Sequence, residues 1–134
     1  MQGLIIKLND NKNKIEILEV EIDKDRELES LQQIVGGNIE IPYINKRLSE
    51  NEILTIVNEE GKFLDLEPTC ILKKGEQIYD TLNGNVLFLS AEGENIIGLN
   101  EKQINIIKNE INLESTFYIN DNENIITLAS LELD

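Results

Sequence analysis

A chain of 134 residues has the length of one domain and buries about two-thirds of the surface its unfolded form exposes, enough for a single core. Its 26 acidic against 12 basic residues leave a formal charge of −14, which disfavours direct binding to a phosphate backbone and favours association with basic protein surfaces. Histidine is absent, which removes the commonest general base and metal ligand near neutral pH and excludes Ser-His-Asp and Cys-His catalysis.

The single cysteine, Cys70, cannot form an intrachain disulfide and fits a reducing compartment, where it reads as a small buried apolar residue. No apolar run approaches the ~18 residues of a membrane span, and the opening stretch MQGLIIKLNDNKNK lacks a signal-peptide core with a cleavage site. The expected location is cytoplasmic.

Taken in order, residues 3–8 are apolar and β-branched, and residues 14–22 alternate Ile15, Ile17, Val20 and Ile22 with charge. The Asn- and Asp-rich residues 9–13 between them are turn chemistry, so the pair predicts a β-hairpin. Asp23 or Asp25 can cap the next helix, whose stripe is Leu28, Leu31, Ile34 and Val35. Gly36 then suits a left-handed C-terminal stop and Gly37 a tight reversal. Glycines at a helix C-terminus sit among carbonyls and not amides, which favours a helix-to-strand connection over an anion cradle.

Ile39, Ile41 and Tyr43 alternate as a strand that Pro42 makes an edge or ends. Residues 45–51 read as a polar loop. Residues 53–57 read as a strand whose turn at 58–62, with Gly61 at a position of positive φ, leads into Phe63 and Leu64 as a second hairpin. Residues 66–76 read as irregular, with a short helical turn at 69–72, and residues 78–82 as a loop or short strand. Asn83, Gly84 and Asn85 mark a turn before residues 86–89, an uninterrupted apolar run expected at the centre of a sheet. Asn100 with Gln103 forms a capping box, Leu99 and Ile104 a staple, and Ile104, Ile107 and Ile111 the stripe of the best-marked helix. Residues 116–119 and 125–128 read as strands joined by a turn at 120–124.

The acidic pairs Glu59 and Glu60, Glu92 and Glu94, and Asp121 and Glu123 all fall in turns, where solvated carboxylates are ordinary, so no metal site is expected. No GxxxxGK[ST] or GxGxxG pattern occurs, and no cofactor is expected. Tyr43, Tyr79 and Tyr118 are amphipathic residues able to stack on a flat ligand or anchor a partner. Lys46, Arg47, Lys73 and Lys74 are the basic pairs that could meet a phosphate; solvated loop charges and core tyrosines are the plainer reading of each.

The run LESLQQIVGGNIEI at 28–41, IVNEEGK at 56–62, Leu66-Glu67-Pro68 and GNVLF at 84–88 together resemble a family. It is the small "VGGYIE"-type domain of unknown function found in phages, plasmids and other mobile elements of Gram-positive and gut bacteria. Asn38 stands where that family has Tyr, and the tail beyond Leu113 exceeds the usual domain. The resemblance carries no catalytic residues. It implies a non-enzymatic accessory protein, a counter-defence inhibitor of a bacterial immune component. The alternative is a sponge that sequesters a cyclic nucleotide or ADP-ribose derivative at a homo-oligomer interface through Tyr43, Lys46, Arg47, Lys73, Lys74 and Tyr79.

The fold expected is α+β: a mostly antiparallel sheet of about five to seven strands with two α-helices packed on one face. Residues 1–113 form the domain, and residues 114–134 a C-terminal β-hairpin extension or a dimer arm.

Overall fold

The computed structural model describes residues 1–12, 14–117 and 125–134. Among them the chain forms ten strands and three α-helices. The strands are β1 (Gln2–Leu8), β2 (Ile15–Glu21), β3 (Ile39–Glu40), β4 (Ile53–Asn58), β5 (Pro68–Lys74), β6 (Gln77–Asn83), β7 (Val86–Glu92), β8 (Asn95–Ile97), β9 (Asn112–Phe117) and β10 (Ile125–Glu132). The helices are α1 (Glu27–Val35), α2 (Lys46–Glu50) and α3 (Glu101–Glu110).

The strands make two sheets, not the one expected. The first is antiparallel, in the order β2-β1-β7-β4-β3 with β8 also paired to β7; the second runs β6-β5-β10-β9 and contains one parallel pair, β5 with β10. Alternation along the central strands sorts side chains to the two faces of the first sheet. Leu4, Ile6, Val86 and Phe88 share an apolar cluster with Cys70, Leu72, Leu128 and Leu131 of the second sheet and with Leu48 of α2 and Ile107 of α3. Ile5, Ile56, Leu87 and Leu89 face the other way, onto Leu31 and Val35 of α1. The helices therefore divide between two apolar clusters and do not share one face. A two-faced strand such as β7, with residues 86–90 all buried, lies between both clusters, and each of its large side chains contributes roughly 1.5–3 kcal/mol on burial.

Four local expectations change. Residues 45–51 are not a loop: the Asn45 side chain accepts from the Leu48 N–H at 2.9 Å, and α2 buries Leu48 as its one apolar anchor. Phe63 and Leu64 make no strand. The backbone of residues 60–66 bonds to itself, Leu64 N–H to Glu60 O and Leu66 N–H to Gly61 O, both at 2.9 Å, so these groups are not free for a ladder. Residues 68–74 are strand β5 and not a helical turn. Residues 69–72 are buried throughout, so no alternation marks them, and such a run is indistinguishable by period from a buried helix segment. Pro68 is the first residue of the strand, where a missing N–H is tolerated. Gly61 does not have positive φ; the left-handed residue of that turn is Asp65, at φ 55°.

The expected first hairpin is β1 with β2. The strand expected through Ile41 and Tyr43 is cut to Ile39–Glu40, ending two residues before Pro42, and Ile41 and Tyr43 are exposed beyond it. Helix α3 carries the full capping box of Asn100 and Gln103. Asn13, Tyr118, Ile119 and the turn expected at 120–124 lie outside the described residues. Beyond residue 113, β10 sits between β5 and β9 and buries Ile126, Leu128, Ala129 and Leu131.

Candidate functional site

Three of the motif stretches meet at the C-terminal end of α1. A helix ends with carbonyls that lack intrahelical donors, and here neighbouring asparagines supply them. Asn58 donates through Nδ2 to Val35 O at 3.1 Å, and Asn85 donates through Nδ2 to Ile34 O at 2.8 Å. Gly36, at φ 83°, and Gly37 both donate their N–H groups to Gln32 O. A Cβ on Gly37 would stand 2.9 Å from Asn58 Nδ2, so the second glycine is a clearance for the asparagine. Gly61 is a clearance too: a Cβ there would lie 2.8 Å from Asn83 O. Asn83 in turn donates to Leu66 O at 2.9 Å, and Thr69 donates to Gly84 O at 2.6 Å. The glycines are thus structural, and the motif stretches interlock as one set of turns.

The expected ligand residues fall in two groups around the end of β10. Tyr43 donates its hydroxyl to the Asp134 carboxylate, whose other oxygen accepts from the Lys46 N–H at 3.0 Å. These bonds hold the Asp134 carboxyl below the usual carboxylate range and push the Tyr43 phenol above its ordinary value. Arg47 pairs with Glu110 at 2.9 Å and Lys46 with Glu50 at 3.6 Å. Lys73 pairs with Glu114 at 2.7 Å, a bond that raises the ammonium above its ordinary value. The Lys74 ammonium lies 5.8 Å from the centroid of the Tyr79 ring, a cation–π distance, and its charge also reaches Asp134. The recess of about 450 Å³ beside α2 sets Lys46 and Arg47 against Glu50, Glu110, Glu132 and Asp134. A phosphate there would meet twice as many carboxylates as cations.

A second concavity, of about 420 Å³, opens between the two sheets where the terminal strands β3 and β6 fail to meet. Val57 and Leu72 line its depth and Glu40, Glu59, Glu60 and Asp80 its walls. Its one lysine, Lys62, is paired with Asp80, whose carboxyl that bond holds below the usual range. Phe63, 85 % exposed, stands at the rim. Glu59 and Glu60 in an expected solvated turn and Phe63 in an expected strand hide this place in the sequence. A lone aromatic two residues after a turn glycine, in the run Gly61-Lys62-Phe63-Leu64-Asp65, is the one signal that marks it.

Other chemistry is sparse. Burial pushes the Cys70 thiol up to about 12. Among the described residues no three Asp, Glu or Cys side chains converge as a metal site, no buried side-chain nitrogen or oxygen lacks a hydrogen-bond partner, and no helix is long and apolar enough to cross a membrane.

The family defined as a domain of unknown function, DUF3846, matches residues 1–112, and the chain belongs to it. No curated protein and no solved structure matches the chain.

Proposed function

We propose that this chain is a non-enzymatic binding protein that engages a basic surface of a partner, and that it serves as a counter-defence inhibitor of a bacterial immune component in the host cytoplasm. The observation that carries the reading is the acidic concavity between β3 and β6, in which the one lysine is already neutralised and an aromatic ring stands exposed. The chain charge of −14 steers the same class of partner. Membership of a family of unknown function leaves the counter-defence role, and an origin in phages or mobile elements, resting on the sequence resemblance. The sponge reading draws less support, since Lys46, Arg47 and Lys73 each face a carboxylate and Lys74 a ring.

The test is native mass spectrometry of the protein after incubation with lysate from a defence-bearing bacterium, followed by a salt titration of any complex. The expected result is a captured basic protein, an immune component, whose complex weakens as salt screens the charges. A salt-insensitive complex would sink the charge-masking mechanism. A retained small anion on an oligomer would transfer the reading to the sponge.

A further inference from the structure

Resting on that reading, we propose that the mouth between β3 and β6 is the docking site for an extended cationic segment of the partner, its arginines or lysines facing Glu40, Glu59 and Glu60 and an apolar side chain set against Phe63. The walls are two strand edges. β3 ends the first sheet and β6 the second, and among the described residues neither pairs with a strand on its outer side. Residues 77–80 of β6 are exposed; of β6, Asp80, Thr81, Leu82 and Asn83 line the mouth, and its Asn83 end is closed by the turn of residues 60–66 through Gly61 and the Asn83 bond to Leu66. An extended peptide is the shape that fits beside a free strand edge, because its backbone groups lie at the same spacing.

Charge complementarity commits the occupant. With Lys62 and Asp80 cancelling each other, Glu40, Glu59 and Glu60 remain as uncompensated acids among the lining residues, all three exposed. An acidic segment would be repelled, and a second copy of this chain brings the same acids to the same place. The bulge at Tyr79, which falls between the Leu72–Asp80 and Lys73–Ile78 pairs, interrupts the edge. Bulges of this kind discourage indefinite strand-on-strand stacking while leaving a short stretch able to receive a peptide. The exposed ring of Phe63 supplies the apolar contact that a purely ionic surface lacks.

The probe is a fluorescent peptide of alternating arginine and valine, about nine residues long to span a strand edge, compared with the same residues in block order. Binding is read by anisotropy against the full chain, against E40Q/E59Q/E60Q, against Phe63→Ser, and against the control E19Q/E29Q/E94Q, which removes as many exposed acids elsewhere. The expected result is binding of the alternating peptide that falls about tenfold in the mouth variant and in Phe63→Ser, with the control within about twofold of the parent. Equal loss in both triple variants, equal binding of the block peptide, or no binding at all overturns the proposal. Failure here is distinguishable from failure of the binding reading: a partner captured from lysate in a salt-sensitive complex that E40Q/E59Q/E60Q leaves intact keeps the reading and removes this site.

Discussion

Asn58 is the side chain on which the most local structure depends. It is buried, donates to Val35 O, accepts the Glu60 N–H at 2.7 Å, and leaves no room for a Cβ on Gly37. Asn58→Ala strands a buried carbonyl and a partly buried N–H, and chemical denaturation should register a loss of about 1–3 kcal/mol. Gly37→Ala should destabilise by a similar order, about 1–3 kcal/mol, through overpacking against that amide. Because Asn58→Ala removes the amide that a Cβ on residue 37 would meet, the double variant should lose less than the sum by about 1 kcal/mol; strict additivity would show that the two residues do not act together. Cys70 gives a second test. Its thiol, fully buried and shifted up to about 12, should resist a thiolate-directed reagent at pH 8 until denaturant is added. Labelling of the native protein at the rate of a free thiol would place that residue outside the core.

Among the elements, α2 shows how a short polar stretch becomes a helix. Five residues cannot hold a helix on propensity. Asn45 caps it, donates Nδ2 to Glu132 O at 2.8 Å, and so ties the helix to the end of β10. The Asp134 carboxylate adds the bonds to Tyr43 and the Lys46 N–H. The sign of its pH dependence follows from both shifts. Asp134 is lowered, so its contribution is complete above the ordinary carboxylate value and is lost as pH falls through the folded value. Tyr43 is raised, so its contribution is complete below the ordinary phenol value and is lost as pH rises through the folded one. Hydrogen exchange should therefore find the Lys46 amide more protected near neutral pH than in acid, beyond the intrinsic rate change, and Asp134→Ala should abolish the difference. A profile identical in the variant would mean that the carboxylate does not hold the amide.

For the molecule as a whole, the strand that completes the second sheet lies beyond the family match. Residues 1–112 contain β5 and β6, but β10 supplies the other neighbour of β5 and buries Ile126, Leu128, Ala129 and Leu131 in the main cluster. The three large ones, Ile126, Leu128 and Leu131, at roughly 1.5–3 kcal/mol each, are comparable with the whole stability of a marginally stable domain. A chain cut after residue 112 should show no cooperative melting transition and should bind a hydrophobic dye. A sharp transition with native-like circular dichroism would establish the matched segment as self-sufficient.

Where one residue type admits one conformation or one bond, the reading from sequence carried through to the fold. Gly36 at the helix stop, Asn100 with Gln103 at the α3 cap, Pro42 beyond the end of β3 and the unbroken apolar run of β7 are of this kind. Local sterics and hydrogen-bond chemistry decide them. The identity of β5, the split into two sheets, the parallel pairing with β10 and the helix at 46–50 depended on contacts between residues far apart in the chain, which periodicity does not encode. The same holds for the expected ligand residues. Lysine and arginine were visible as charges, but Glu50, Glu110 and Glu114 beside them became visible only when the chain folded. Glu40, Glu59 and Phe63 were ordinary turn and edge residues until two sheets left a gap between their last strands. Composition settled the sign of the charge, because summing residues needs no coordinates, and tertiary packing settled which acids were left without a partner.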